Sequence, residues 1–293
     1  MTILVGFSVS RQSQAPLNLA VQIAAASGQP LVAVAVIEDP GPRLGDPFEQ
    51  EFLDHLVTRT EKALHEVIGR LPGGTGIPTV VAPGRSTAAG LMALAGEHDA
   101  TMVVVGSSSS GLMGRLALGS VTDRLVHTAA LPVVIAPRGY ELPPGRITRI
   151  TAGYGGAADE SGLLAAAAEL ARAWSIPLRV VSFTVRPQAA FGGAAVPGAE
   201  QLMIERWVTQ TRDQVAAELA RVRERFPVPD VEMVVGTGPD WSSALTDVSW
   251  QPGELLALGS GAAAQRSQVF LGTAAGRILR NSPVPVALMP RRG

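Results

Sequence analysis

The stretch Met102-Val103-Val104-Val105-Gly106-Ser107-Ser108-Ser109-Ser110-Gly111-Leu112-Met113-Gly114-Arg115-Leu116-Ala117-Leu118-Gly119-Ser120 decides the fold of this chain. It opens on a short valine run, continuous in β-branched residues as a strand buried on both faces should be. It then crosses a glycine- and serine-rich loop and reaches Gly119-Ser120, where a helical segment begins. Strand, loop and helix in that order are half of a parallel β-α-β unit. Glycines let a ligand approach the backbone closely, and the free amides of Gly119 and Ser120 at a helix start make an anion site. That geometry suits phosphate, although the same composition also serves a plain strand-to-helix connector.

The landmarks of this stretch return downstream. Gly106-Ser107 recurs as Gly259-Ser260, Leu118-Gly119-Ser120 as Leu271-Gly272-Thr273, Pro132-Val133 as Pro285-Val286 and Pro137-Arg138 as Pro290-Arg291, all at an offset of 153. Nearer the start of each half, Val5-Gly6-Phe7 aligns with Ala152-Gly153-Tyr154 at an offset of 147. A period this long marks a duplicated domain, not a solenoid of short repeats. It divides the 293 residues into domains 1–140 and 147–293. Between them the seam Gly139-Tyr140-Glu141-Leu142-Pro143-Pro144-Gly145 reads as an exposed linker.

Each half alternates short apolar runs with longer amphipathic ones. In the first, strands are predicted at Ile3–Phe7, Leu31–Ile37, Pro78–Ala82, Met102–Val105 and Val133–Ile135. A long helix over 49–71 places Phe52, Leu56, Leu64 and Ile68 on its inner stripe. In the second half, strands fall near Arg149–Tyr154, Leu178–Phe183, Val231–Val235, Leu255–Leu258 and Val286–Leu288. Such alternation predicts two doubly wound α/β domains in tandem, each with a parallel sheet covered by helices on both faces.

Composition narrows the function. Hydrophobic residues make up 46% of the chain and charged ones 17%, enough apolar material for two cores. A net charge of −1 argues against a general nucleic-acid binder, which needs a basic excess to displace phosphate counterions. The absence of cysteine removes disulfides, thiolate nucleophiles and cysteine-ligated metals. Lys62 is the one lysine, so a lysine-dependent P-loop or Schiff base would have to use it. The first residues lack a basic leader and read as a strand, and Gln22, Ser27, Gly28, Gln29 and Pro30 interrupt the longest apolar stretch. A cytoplasmic protein that does not span the membrane is expected.

On the two Gly/Ser loops and the first strands, both halves resemble universal stress protein (UspA-like) domains over nearly the whole chain. The resemblance implies a five-stranded parallel sheet of order 3-2-1-4-5 in each half. Nucleotide-binding members carry G-x2-G-x9-G-[S/T] after the fourth strand and an aspartate at the end of the first. Here the first half supplies Gly106, then Ser109 at the middle glycine, then Gly119-Ser120; the second supplies Gly259, Ala262 and Gly272-Thr273. Ser8 and Gly155 stand at the two acidic positions. The implied nucleotide contacts are therefore Ser8, Val36, Gly106, Ser109, Gly119 and Ser120, with a degenerate second site at Gly155, Gly259, Ala262, Gly272 and Thr273. The implied function is a stress-response regulatory or binding module, and the implied ligand is ATP, with magnesium, or a related adenine nucleotide. Hydroxyls of Ser107 to Ser110 are available to phosphate, and Ser109→Gly is expected to tighten ATP affinity if that side chain crowds the loop. The second half, with Gly155 and Ala262 to Ala264, reads as a scaffold stripped of polar contacts.

The same likeness suggests that the apolar last strands, Val133–Ile135 and Val286–Leu288, pair with each other. The two halves would then form a pseudo-dimer within one chain, with a homodimer as a further expectation. A nucleotide-independent interaction scaffold is the rival reading. A slow ATP hydrolase is the weakest, because no acid ends the first strand. No catalytic residue is assigned: Gly-x-Ser-x-Gly is absent, and His55, His65, His98 and His127 form no ligand pattern. Asp123 and Arg124 read as a solvated pair, and Arg85 as a solvent-facing residue or a long reach to phosphate. Ser86 and Asp240 read as helix caps, and Phe191 in the 189–198 stretch as a residue able to fold over a ligand or a partner.

Overall fold

A computed structural model describes residues 1–8, 13–38, 47–108, 113–114, 116–141, 145–155, 162–185, 199–228, 231–259 and 273–291. The chain divides into two compact units, Met1–Arg146 and Ile147–Gly293. The first runs β1 (Thr2–Gly6), α1 (Ala15–Ser27), β2 (Leu31–Glu38), α2 (Pro47–Ile68), β3 (Thr79–Gly84), α3 (Thr87–Glu97), β4 (Ala100–Gly106), α4 (Ser120–Thr128) and β5 (Val133–Ala136). The second runs β6 (Arg149–Gly153), α5 (Leu163–Ala173), β7 (Leu178–Val185), α6 (Ala199–Arg225), β8 (Glu232–Gly238), α7 (Trp241–Thr246), β9 (Glu254–Gly259), α8 (Thr273–Asn281) and β10 (Val286–Met289).

Within the first unit every strand pair is parallel, in the order β3-β2-β1-β4-β5. The second unit repeats it as β8-β7-β6-β9-β10, again parallel throughout. The valine-rich runs explain the sheets. Ile3, Leu4 and Val5 of β1, Ala33 and Val34 of β2, Val103 and Val104 of β4 and Val133 to Ala136 of β5 are all buried, as strands covered on both faces must be. Helix ends follow local chemistry. Pro16 pre-sets the first turn of α1, and Gly28 at φ 69 closes it by donating its N–H to Ala24 O. Ser86 accepts from Ala89 N at the start of α3, and Asp240 from Ser243 N at the start of α7, as the capping reading predicts.

Two expectations need correction. Leu64 and Ile68 are buried on the inner stripe of α2, but Phe52 is 63% exposed. The helix is longer than the strand it packs on: its 22 residues rise about 33 Å at ~1.5 Å each, against about 20 Å for the six residues of β3. Its early turns overrun the sheet and leave Phe52 in solvent. The seam is also not free. Tyr140 is half-buried against α1, its carbonyl accepting from Asn18 Nδ2 at 3.0 Å and its hydroxyl donating to Gln22 Oε1 at 2.5 Å. These bonds satisfy polar groups on a helix face that is otherwise apolar, so the linker begins as a strap on the first domain. Residues 142–144 lie outside the described part.

Candidate functional site

In an open parallel sheet a crevice forms at the carboxyl ends of the strands, where strand order reverses. Here that point lies between β1 and β4, and it holds a cavity of about 420 Å³. Each wall has a structural origin. Strand β1 pairs with β2 only as far as Gly6 opposite Val34. Strand β2 continues through Val36, Ile37 and Glu38, paired there with β3 alone, so its overhang forms one wall. Gly6, Phe7 and Ser8 form the floor. Opposite stand Val105, Gly106 and Ser107 of β4 with Val121 and Thr122 from the first turn of α4. Thr60 of α2 and Thr87 and Leu91 of α3 close the sides.

The close approach of α3 depends on Gly90, where an added Cβ would lie 2.6 Å from Val36 Cγ1. The glycine loop is held at both ends. Thr122 Oγ1 donates to Gly106 O at 3.3 Å, fastening the start of α4 to the end of β4. Ser107 Oγ accepts from Ala117 N at 2.7 Å and donates to Ala117 O at 3.1 Å, and Ser108 N donates to the same carbonyl. The Ser107 hydroxyl therefore closes the neck of the loop, and Ser108 is buried. This corrects the expectation that all four serines are available to a ligand; Ser109 and Ser110 lie outside the described residues.

Of the residues singled out in sequence, the structure brings Ser8, Val36 and Gly106 together as cavity lining. Gly119 is the N-cap of α4 with an extended backbone and no side-chain capping bond, which leaves the first-turn amides of that helix unsatisfied by it. Ser120 begins α4 and is exposed, while its neighbours Val121 and Thr122 face the cavity. Arg85 is exposed and does not line the cavity, and Asp123 stands 3.8 Å from His127 in solvent, not against Arg124. In the second unit Gly155 is exposed with open space around it, Gly259 ends β9 and Thr273 opens α8. Ala262, Gly272 and Phe191 lie outside the described residues.

Sequence reading missed Glu38, Thr60 and Thr87. Glu38 Oε1 accepts from Thr87 N at 2.9 Å and Thr87 Oγ1 at 2.7 Å. Those two bonds hold its carboxyl below the usual carboxylate range, with the Arg124 charge a smaller contributor. Glu38 is exposed, as a glutamate at the polar end of a strand is expected to be; the overhang of β2 is what brings it to the edge of the cavity. Among the described residues no cluster of three metal-ligating side chains occurs, and no helix is long and apolar enough to cross a membrane.

Comparison with known proteins agrees with this architecture. The profile of the universal stress protein family matches residues 1–137 and again 146–290. The chain belongs to the universal stress protein family. A universal stress protein of Mycobacterium tuberculosis is 32% identical over 295 residues, spanning 99% of this chain and 100% of its own length. A Thermus aquaticus universal stress protein is 32% identical over 137 residues, covering 46% of this chain with 96% of its own. The solved structure of a universal stress protein from Archaeoglobus fulgidus matches the fold with a TM-score of 0.62 at 17% identity, covering 99% of this chain and 98% of that one. Two universal stress domains in tandem thus cover nearly all of the residues.

Proposed function

We propose that this tandem universal stress protein binds an adenine nucleotide in its first domain and acts as a regulatory binding module. The observation that carries the reading is the cavity at the β1/β4 reversal. Its volume of about 420 Å³ lies within the ~300–1,000 Å³ usual for small-molecule sites. Apolar side chains of Val36, Leu91 and Val105 offer faces for a base, and Ser8, Thr60 and Thr87 give the lining its polar part. The phosphates would meet the first-turn amides of α4 at Gly119 and Ser120, where backbone N–H groups and the helix dipole favour an anion. No residue described here fixes a magnesium ion by itself, so the metal would be carried by the phosphates.

The test is calorimetric titration of the nucleotide-stripped full chain with ATP and magnesium, for the wild type and Gly106→Leu. A Cβ at Gly106 would sit at ordinary contact distance, 3.5 Å, from Pro16 Cδ, so the backbone accepts a side chain there while its bulk enters the cavity. The reading expects binding near one equivalent in the wild type and at least a tenfold loss in the variant. No heat at millimolar ATP would reject it in favour of a nucleotide-independent scaffold.

A further inference from the structure

Glu38 is the only charged side chain among the described residues that line the cavity. Its Oε1 is committed to Thr87, whereas Oε2 has no hydrogen bond among the described residues. The carboxylate is ionised at neutral pH, since both Thr87 bonds favour its charged form. It can therefore only accept hydrogen bonds, and any ligand group set against it must be a donor. A phosphate there would be repelled.

Strand order says which part of a ligand reaches it. The α4 amides stand above β4, and Glu38 stands at the end of the β2 overhang, with β1 between them. Two strand spacings separate these walls, about 10 Å. A nucleotide anchored by its phosphates at α4 lays its sugar across β1 and its base against β2. Base edges differ in what they present: the 6-amino group of adenine donates, and a purine lacking that group has no donor at the same place.

We propose that Glu38 is a specificity-determining residue that reads the exocyclic amine of the base, selecting amino-bearing purines in the first-domain cavity. The proposal rests on the nucleotide reading above. It supplies a polar discriminator in a site that has Ser8 at the family's acidic position. A charge-assisted hydrogen bond of this kind discriminates about tenfold or more against a ligand lacking the donor.

The test compares ATP with purine riboside 5′-triphosphate, which lacks the 6-amino group, on the full chain and on Glu38→Gln. 2′-Deoxy-ATP serves as a third ligand. The wild type is expected to prefer ATP over the desamino analogue by about tenfold and to treat 2′-deoxy-ATP like ATP. In E38Q the amide oxygen keeps the Thr87 bonds while its NH₂ faces the ligand, so the preference should fall to about one or reverse. A helix-positioning role for Glu38 would weaken all three ligands equally and leave the ratio intact, which would overturn the proposal. A loss of discrimination against 2′-deoxy-ATP, with the amine ratio unchanged, would overturn it too by assigning the carboxylate to the sugar. Absence of binding by every ligand to the wild type would instead reject the nucleotide reading itself.

Discussion

Replacing Glu254 by glutamine should unfold the second domain at a much lower temperature. Glu254 opens β9 with its side chain fully buried, beside Arg179 at 3% and Arg149 at 12% side-chain exposure. Its Oε1 accepts from Arg179 Nη2 at 2.5 Å and from Thr151 Oγ1; its Oε2 accepts from Arg149 Nη2 at 2.8 Å and Gln251 N at 3.0 Å. Arg179 is further tied to Ser249 O at 2.9 Å and lies 5.1 Å from the centroid of the Trp250 ring. Glutamine keeps the shape but turns an NH₂ toward a guanidinium and removes the buried negative charge facing two cations, leaving Arg149 only the exposed Glu232 at 3.6 Å among the described residues. Breaking a buried pair from one side costs about 3–5 kcal/mol. For a domain of this size that lowers Tm by about 6–20 °C. All four tryptophans, Trp174, Trp207, Trp241 and Trp250, lie in the second half, so intrinsic fluorescence follows that domain selectively. Replacing the whole cluster with apolar residues (R149M, R179M and E254L together) should melt above E254Q, because the penalty comes from the stranded cations. A shift below about 2 °C for E254Q would show the cluster to be screened by water, and the reasoning would fail.

Three further outcomes follow from the first domain. The Tyr140 phenol is pushed up to about 12 from its ordinary 10, chiefly by burial. Because the folded form keeps its proton longer than the unfolded one, stability is complete below pH 10 and declines as pH rises through 12. The full gap would be worth about 2.7 kcal/mol, and solvent screening of the half-exposed ring reduces this to about 1 kcal/mol. Urea midpoints between pH 9 and 12 should fall more steeply for the wild type than for Tyr140→Phe. Gly90→Val would push a side chain into Val36, whose Cγ atoms stand 2.6 and 2.9 Å from the new Cβ; a cost of about 1–3 kcal/mol and weakened nucleotide binding are expected, and an unchanged melt would mean that α3 is not seated as described. Ser86→Ala removes a cap bond of 3.3 Å to Ala89 N, with a cost of about 0.5–1 kcal/mol by denaturation, at the low end because Glu38 still holds Thr87 N.

What the sequence discloses, and what it hides, divides along physical lines. The strands were legible because burial on both faces demands continuous apolar runs, and Val103 to Val105 or Val133 to Ile135 satisfy nothing else. Caps were legible because Ser86 and Asp240 act within four residues of themselves. Glu254, Arg149 and Arg179 were not, since each stands at the start of a strand, where a charge reads as solvated. Only the parallel register that sets Arg149 opposite Glu254 and Arg179 opposite Glu232 gathers them into one buried cluster. Phe52 misled for a related reason: its periodicity is sound, but periodicity carries no information about how far a helix outruns its sheet. Of the residues that line the cavity, Ser8, Val36 and Gly106 were named from the family resemblance; Glu38 and Thr87 depend on a contact across 49 positions.

The register also explains why the two halves should not be equivalent in binding. Ile3 pairs with Leu31 and Ile150 with Leu178, so the first two strands of each half superpose at a constant offset of 147. Ser8 then corresponds to Gly155, Val36 to Phe183 and Glu38 to Val185. At each position the second domain exchanges a polar or small group for one that contributes nothing to a polar ligand or takes up room. Phe183 lies opposite Gly236 on β8, where a Cβ would come within 3.0 Å of its ring. The glycine is required first by α7, whose Ala244 carbonyl would be the nearest atom to a Cβ there, ahead of Val248 and the Phe183 ring, and Phe183 holds the position that corresponds to Val36. The second domain thus has a bulkier residue at this β2-equivalent position and no acid at the strand end. The second domain also contains the Arg149–Arg179–Glu254 cluster at the amino ends of its strands, where it adds no polar lining to the ligand-binding ends. Duplication gave two copies of one fold, and the residues at the strand ends differ between them in the direction that the proposed first-domain site expects.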